Sequence, residues 1–74
     1  MNINEFIEKF AESLEIEDVA SLKPESAFRD IEEWSSLSVM EFIAFADENF
    51  DKQVGDKQIA ECNTIQDLYN LVKA

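Results

Sequence analysis

Ile3, Phe6, Ile7, Phe10 and Leu14 recur at the spacing of one face of an α-helix. Helical spacing returns at residues 36–50 and again at Ile65, Leu68, Tyr69 and Val72. One proline, Pro24, and one glycine, Gly55, in 74 positions leave little material for tight turns, which disfavours an all-β fold. The expected fold class is all-α: a small bundle of three main helices plus one short helix, with a long first loop.

The first helix is predicted from about Asn4 to Leu14, with Glu5, Glu8, Lys9 and Glu12 on its wet side. Asn4 is the expected N-cap and Asn2 its competitor. Residues 15–34 form a long connection broken by Pro24. A loop of that length needs anchoring, and Leu22, Phe28 and Ile31 are expected to pin it to the core. The second helix is predicted from Ser36 to about Asn49. Val39, Phe42, Ile43, Ala46 and Phe50 should face the core; Leu37, Met40 and Ala44 fall on the outward side among Glu41, Asp47 and Glu48. Asp56 is the expected cap of a short helix near Lys57–Glu61. Thr64 starts the last helix, with Asp67 in the reciprocal capping position.

The length fits one domain, residues 1–74. So short a chain buries only about 60–65% of its unfolded surface. A single cysteine, Cys62, leaves no internal disulfide and fits a reducing compartment. The first residues lack the basic region and apolar run of a signal peptide, and no apolar stretch approaches a membrane span. These features together read as a cytoplasmic protein, and a monomer is expected.

The net charge is −11. It argues against nucleic acid, where counterion release requires Lys and Arg at the interface, and against insertion into or attraction to an anionic membrane. It favours basic protein partners or divalent cations, and it equally serves solubility with no partner at all. Asp47, Glu48 and Asp51 are close enough in sequence to be expected to share a divalent ion.

Much catalytic chemistry is out of reach. Without histidine there is no Ser-His or Cys-His nucleophile pair. One cysteine and no histidine do not make a mononuclear zinc site, so no resident metal is expected. Asp47-Glu48-Asn49-Phe50-Asp51 resembles the start of a calcium loop, but Lys52 stands where the turn glycine belongs and Gln58 where the bidentate glutamate belongs. Cys62, beside Glu61, reads as a small core residue and not as a reactive thiol. The chain is not expected to be an enzyme.

Trp34-Ser35-Ser36-Leu37 opens the second helix. A serine there lies where free backbone N–H groups and the helix dipole favour a phosphate. The plainer alternative is an ordinary N-cap. On the outward face, apolar residues fringed by acids suit a docking surface, although single exposed apolar side chains are common on any protein.

From Phe28 to Val72 the sequence resembles the acyl carrier protein family, whose Asp-Ser-Leu signature carries 4'-phosphopantetheine on the serine. Ser36-Leu37 match the last two residues of that signature. Glu41 matches a family glutamate, Asp47-Glu48 its acidic run, Phe50 the aromatic closing the second helix, and Thr64-Ile65-Gln66-Asp67-Leu68 the start of the last. The first helix matches in position and pattern only. Ser35 departs from the family by replacing the aspartate, which assists the transferase that attaches the arm, through metal binding. Glu33-Trp34 stand where the family has glycine.

The resemblance implies a divergent carrier from a dedicated pathway. Ser36 would receive covalent 4'-phosphopantetheine from a phosphopantetheinyl transferase that uses coenzyme A. Acyl groups would ride as thioesters to acyl-loading and acyl-using synthases of fatty-acid, polyketide or related biosynthesis. Leu37, Met40, Glu41, Ala44, Asp47 and Glu48 would dock the basic patches of those enzymes. An acyl chain is expected to shelter between the second and last helices. Two alternatives stay open: an unmodified acidic helical interaction module that kept the fold, and a carrier of aminoacyl cargo.

Overall fold

The computed structural model describes residues 2–73. Four α-helices appear in the order α1 (Ile3–Ser13), α2 (Ser36–Phe50), α3 (Asp56–Ala60) and α4 (Ile65–Lys73), and no strand forms among the described residues. This is the expected bundle of three main helices and one short one. A lone antiparallel bridge joins Ala27 to Thr64.

The core is built on aromatic side chains. Phe6 lies within 5.3–6.4 Å, centroid to centroid, of Phe10, Phe42, Phe45, Phe50 and Tyr69. Edge-to-face geometry, as between Phe6 and Phe42, is the favourable arrangement of ring quadrupoles and adds to the area that such rings bury. Three helices thus meet on one ring, which fixes their relative placement. Phe45 belongs to this core although the expected inward set omitted it. Its place on α2, three residues after Phe42, widens the buried stripe beyond the narrow one read from the sequence.

Helix ends correct several expectations by small amounts. Asn2, not Asn4, caps α1: its Oδ1 accepts the Glu5 N–H at 2.9 Å. α1 therefore begins at Ile3, one residue early. α2 runs through Phe50 and stops at Asp51, whose φ of 53° is left-handed and ends the helix. α3 is capped by Gly55, not Asp56: Gln58 reaches back and accepts the Gly55 N–H at 2.9 Å. Asp56 is instead the first residue of that helix. At α4 the expected reciprocal cap is present. The Thr64 hydroxyl accepts the Asp67 N–H at 3.1 Å, and Asp67 accepts the N–H groups of Asn63 and Thr64 at 2.9 and 3.1 Å.

The long connection is anchored at both its apolar and its polar groups. It contains two single 3₁₀ turns, Val19–Ser21 and Phe28–Asp30. Phe28 is fully buried, and Leu22 and Ile31 pack half-buried against the core. Trp34 stands edge-on to Phe28 at 4.7 Å. The carbonyls of Pro24 and Ser26 accept the N–H groups of Gln66 and Ile65, so the loop also caps the start of α4. No helix of the described residues is long and apolar enough to cross a membrane.

Candidate functional site

The start of α2 is held by backbone and by one buried serine. Ser35 is the N-cap, in extended conformation. Its N–H donates to Ser38 Oγ at 2.9 Å, and the Ser38 N–H donates back to the Ser35 carbonyl at 3.0 Å. Ser38 is only 3% exposed. A serine at the third helical position thus does the work usually given to Glu or Gln in this motif. Nothing in the sequence reading assigned Ser38 a role; the Ser-x-x-Ser spacing was its available signal.

Ser36 is the first residue of the helix and is exposed. Its hydroxyl has no protein hydrogen-bond partner among the described residues. The N–H groups of Ser36 and Leu37 precede the first bond of the helix and point outward at its positive end. The first turn of α2 carries no acidic residue. A phosphate ester on Ser36 Oγ would find unmet donors, a favourable dipole and no carboxylate in that turn.

Ser36 also borders a groove of about 430 Å³. Trp34, Val39 and Met40 line one side; Ile59 and Ala60 of α3 line the other. The apolar space nearest Ser36 therefore opens between α2 and α3. The expected shelter lies between α2 and the last helix, whereas the groove that Ser36 borders is lined by residues of α2, α3 and the loop before α2 and by none of α4. The groove, the free hydroxyl and the helix N-terminus together fit a phosphorylated arm with an apolar cargo.

Leu37, Met40, Glu41, Ala44, Asp47 and Glu48 are all exposed on one side of α2. Leu37 and Met40 are 65% and 67% exposed, and they are the large apolar side chains most open to water among the described residues. A second groove of about 630 Å³ separates this face from the end of α1, bordered by Glu12, Glu15, Glu41 and Glu48. Asp47, Glu48 and Asp51 do not form the expected shared ion site. Among the described residues no group of three or more acidic, cysteine or histidine side chains is disposed to hold a metal. Successive positions on a helix point in different directions, and Asp51 lies past the end of α2 in the left-handed region.

Arg29 is the wall residue that the sequence reading passed over. Its guanidinium donates to the carbonyls of Cys62, Ile59 and Ala60 at 2.7, 3.1 and 3.0 Å. It also stacks over Phe28 at 4.6 Å. It is the only arginine in the chain, which was the signal available. Cys62 is buried as expected, and its Sγ donates to the Gln58 carbonyl at 3.3 Å. Burial, and next the charge of Asp67, push its thiol above the ordinary cysteine value, the opposite of an activated nucleophile.

A family model described as the phosphopantetheine attachment site matches residues 4–72. No solved structure matches the chain.

Proposed function

The chain belongs to the phosphopantetheine attachment-site family, whose members carry 4'-phosphopantetheine covalently on a serine, and from that premise we propose that Ser36 is that serine here. In this reading the chain is an acyl carrier of the cytoplasm, acting as a monomer. It delivers thioester-bound acyl groups to enzymes of fatty-acid, polyketide or a related dedicated biosynthesis. The observation that carries the reading is the exposed Ser36 hydroxyl, free of protein partners, at the start of α2 and on the rim of the α2–α3 groove.

The bound arm supplies a terminal thiol that holds the acyl group. The chain's own residues do the rest. The N–H groups of Ser36 and Leu37 offset the phosphodiester charge at the positive end of α2. Val39, Met40, Ile59 and Ala60 offer apolar walls to the cargo. Leu37, Met40 and Ala44 form the apolar centre of a docking face, with Glu41, Asp47 and Glu48 around it. In such a face the centre supplies most of the affinity, while the charged rim sets association rate and salt dependence. The matching partners are a phosphopantetheinyl transferase and synthases with basic patches.

Ser35 in place of the family aspartate supports one rival: an unmodified acidic interaction module. Intact mass separates the two. Wild type, Ser35→Ala and Ser36→Ala are incubated with coenzyme A, magnesium and a broad-specificity transferase. The expected result is a gain of one phosphopantetheine in wild type and Ser35→Ala and none in Ser36→Ala. Modification that survives in Ser36→Ala, or none in wild type with several transferases, refutes the assignment.

A further inference from the structure

α3 has five residues, too few for a helix to stand on its own propensity. Ile59 is its buried anchor, and its N-terminal end is tied by the Gly55–Gln58 bond. Its other end is held from outside. The carbonyls of Ile59, Ala60 and Cys62 converge there on the Arg29 guanidinium, the Ile59 carbonyl also accepting the Cys62 N–H at 3.0 Å. A cation at this end also complements the negative pole of the helix. Arg29 comes from the loop that precedes α2, thirty or more residues away in sequence. It is fixed on its own side by stacking on the fully buried Phe28. Arg29, Ile59 and Ala60 also line the groove beside Ser36, so three of the four residues in these bonds belong to the groove.

We propose that Arg29 is a positioning residue: it latches α3 in place and sets how far the groove beside Ser36 opens to an acyl chain. The acyl occupant rests on the carrier reading; the latch does not. With the guanidinium in place, Ile59 and Ala60 stay opposite Val39 and Met40. With it withdrawn, the Ala60 and Cys62 carbonyls turn to water and α3 moves off more readily as a unit, because its last turn is then held only by the packing of Ile59 and by the bonds from Cys62 to the Ile59 and Gln58 carbonyls. Local openings of this kind involve little surface, so they respond weakly to denaturant, whereas global unfolding responds steeply.

Cys62 and Trp34 are natural reporters. Cys62 is the single thiol, buried just past the C-terminal end of α3 and bonded to its Gln58 carbonyl, and Trp34 is the single tryptophan, on the groove wall. The test uses the full-length, unmodified chain, so it does not depend on whether Ser36 accepts an arm. Iodoacetamide labelling of Cys62 is timed in wild type, Arg29→Ala and Arg29→Lys across low urea concentrations at one pH. Labelling is expected to be about tenfold faster in Arg29→Ala, the effect of losing about one net charged hydrogen bond, and nearly flat in urea. Arg29→Lys keeps the charge without the fork and should fall between, which also covers the case where the alanine variant folds poorly. Trp34 emission should shift to the red in Arg29→Ala as α3 leaves the groove. An unchanged labelling rate overturns the latch, as does one that climbs with urea as steeply as global unfolding. Unmoved Trp34 emission overturns the link from latch to groove. Faster labelling and shifted emission in a chain that accepts no arm would sustain the latch and remove only the acyl occupant.

Discussion

Ser36 and Ser38 stand two residues apart, yet opposite consequences follow from removing their hydroxyls. Ser38 Oγ is buried and accepts the Ser35 N–H at 2.9 Å. In Ser38→Ala that donor loses its partner. A lost capping interaction costs about 1 kcal/mol, within a span of about 0.5–2. An unsatisfied donor deep in a core would cost up to about 3 kcal/mol, but Ser35 is exposed and water can take the bond, so the lower figure applies. The deleted volume is one oxygen, which leaves little cavity. About 1 kcal/mol corresponds to a fall of roughly 4–8 °C in Tm for a domain of this size. Ser36 is exposed and its hydroxyl is free, so Ser36→Ala should stay within about 0.5 kcal/mol of wild type. Thermal and urea melts of the two variants make the comparison, with intact mass after transferase treatment alongside. Ser38→Ala should melt early and still accept the arm; Ser36→Ala should melt normally and refuse it. A Ser36→Ala variant as unstable as Ser38→Ala would mean that the Ser36 hydroxyl is engaged in the fold. A neutral Ser38→Ala would mean that the reciprocal bond does not hold the helix start.

Two further outcomes follow from the surface charges. Glu41→Lys combined with Glu48→Lys should slow association with a transferase at low salt and converge with wild type at high salt, since single exposed pairs contribute only about 0.2–1 kcal/mol; stopped-flow association at two ionic strengths checks this, and equal rates at low salt would remove α2 as the docking face. Asp67 accepts the Asn63 N–H and then that of Thr64, which holds its carboxyl below the ordinary 3.8. Its contribution is therefore complete above the ordinary carboxylate range and fades as pH falls through the lower folded value, so the stability gap between wild type and Asp67→Ala, measured by urea midpoint, should be open at pH 7 and close in acid; a gap that persists in acid refutes this.

The parts of the fold that rest on periodicity could be read from residues alone. The stripes of α1 and α4, the Thr64–Asp67 cap and the anchoring by Phe28 are local or strongly apolar signals, and the structure has each of them. What escaped reading depends on partners distant in sequence or on competition between near-equivalents. Asn2 and Asn4 are both competent caps, and residue type alone does not decide between them. Gly55 caps α3 because Gln58 can reach back, which composition does not announce. Arg29 bonds to carbonyls thirty or more residues away, and no pattern near position 29 points to them. The groove beside Ser36 follows from where α3 lies, and a five-residue helix carries too weak a period to be placed from its sequence.

The same distinction explains how Ser35 can replace the family aspartate without disturbing the fold. The position asks for an N-cap, and Ser and Asp rank together in that role. What changes is charge. An aspartate would set a carboxylate next to a phosphodiester on Ser36, where like charges repel. With serine, the first turn of α2 has no acid, and its free N–H groups would meet a phosphate on Ser36 with no carboxylate in that turn. In the carrier reading, the loss would fall on the attachment step, where the resemblance gives the family aspartate its role. The acids of α2 begin at Glu41 and end at Glu48. At a rise of about 1.5 Å per residue, they lie from roughly 7 to 18 Å along α2 from Ser36. In the carrier reading, a basic partner is therefore drawn to the middle of the helix, and the serine is presented at the end whose first turn carries no acid, beside the groove that Arg29 holds in shape. Specificity then depends on how a partner spans from that acidic stretch to the open end, which is a matter of docking geometry and not of the residue that caps the helix.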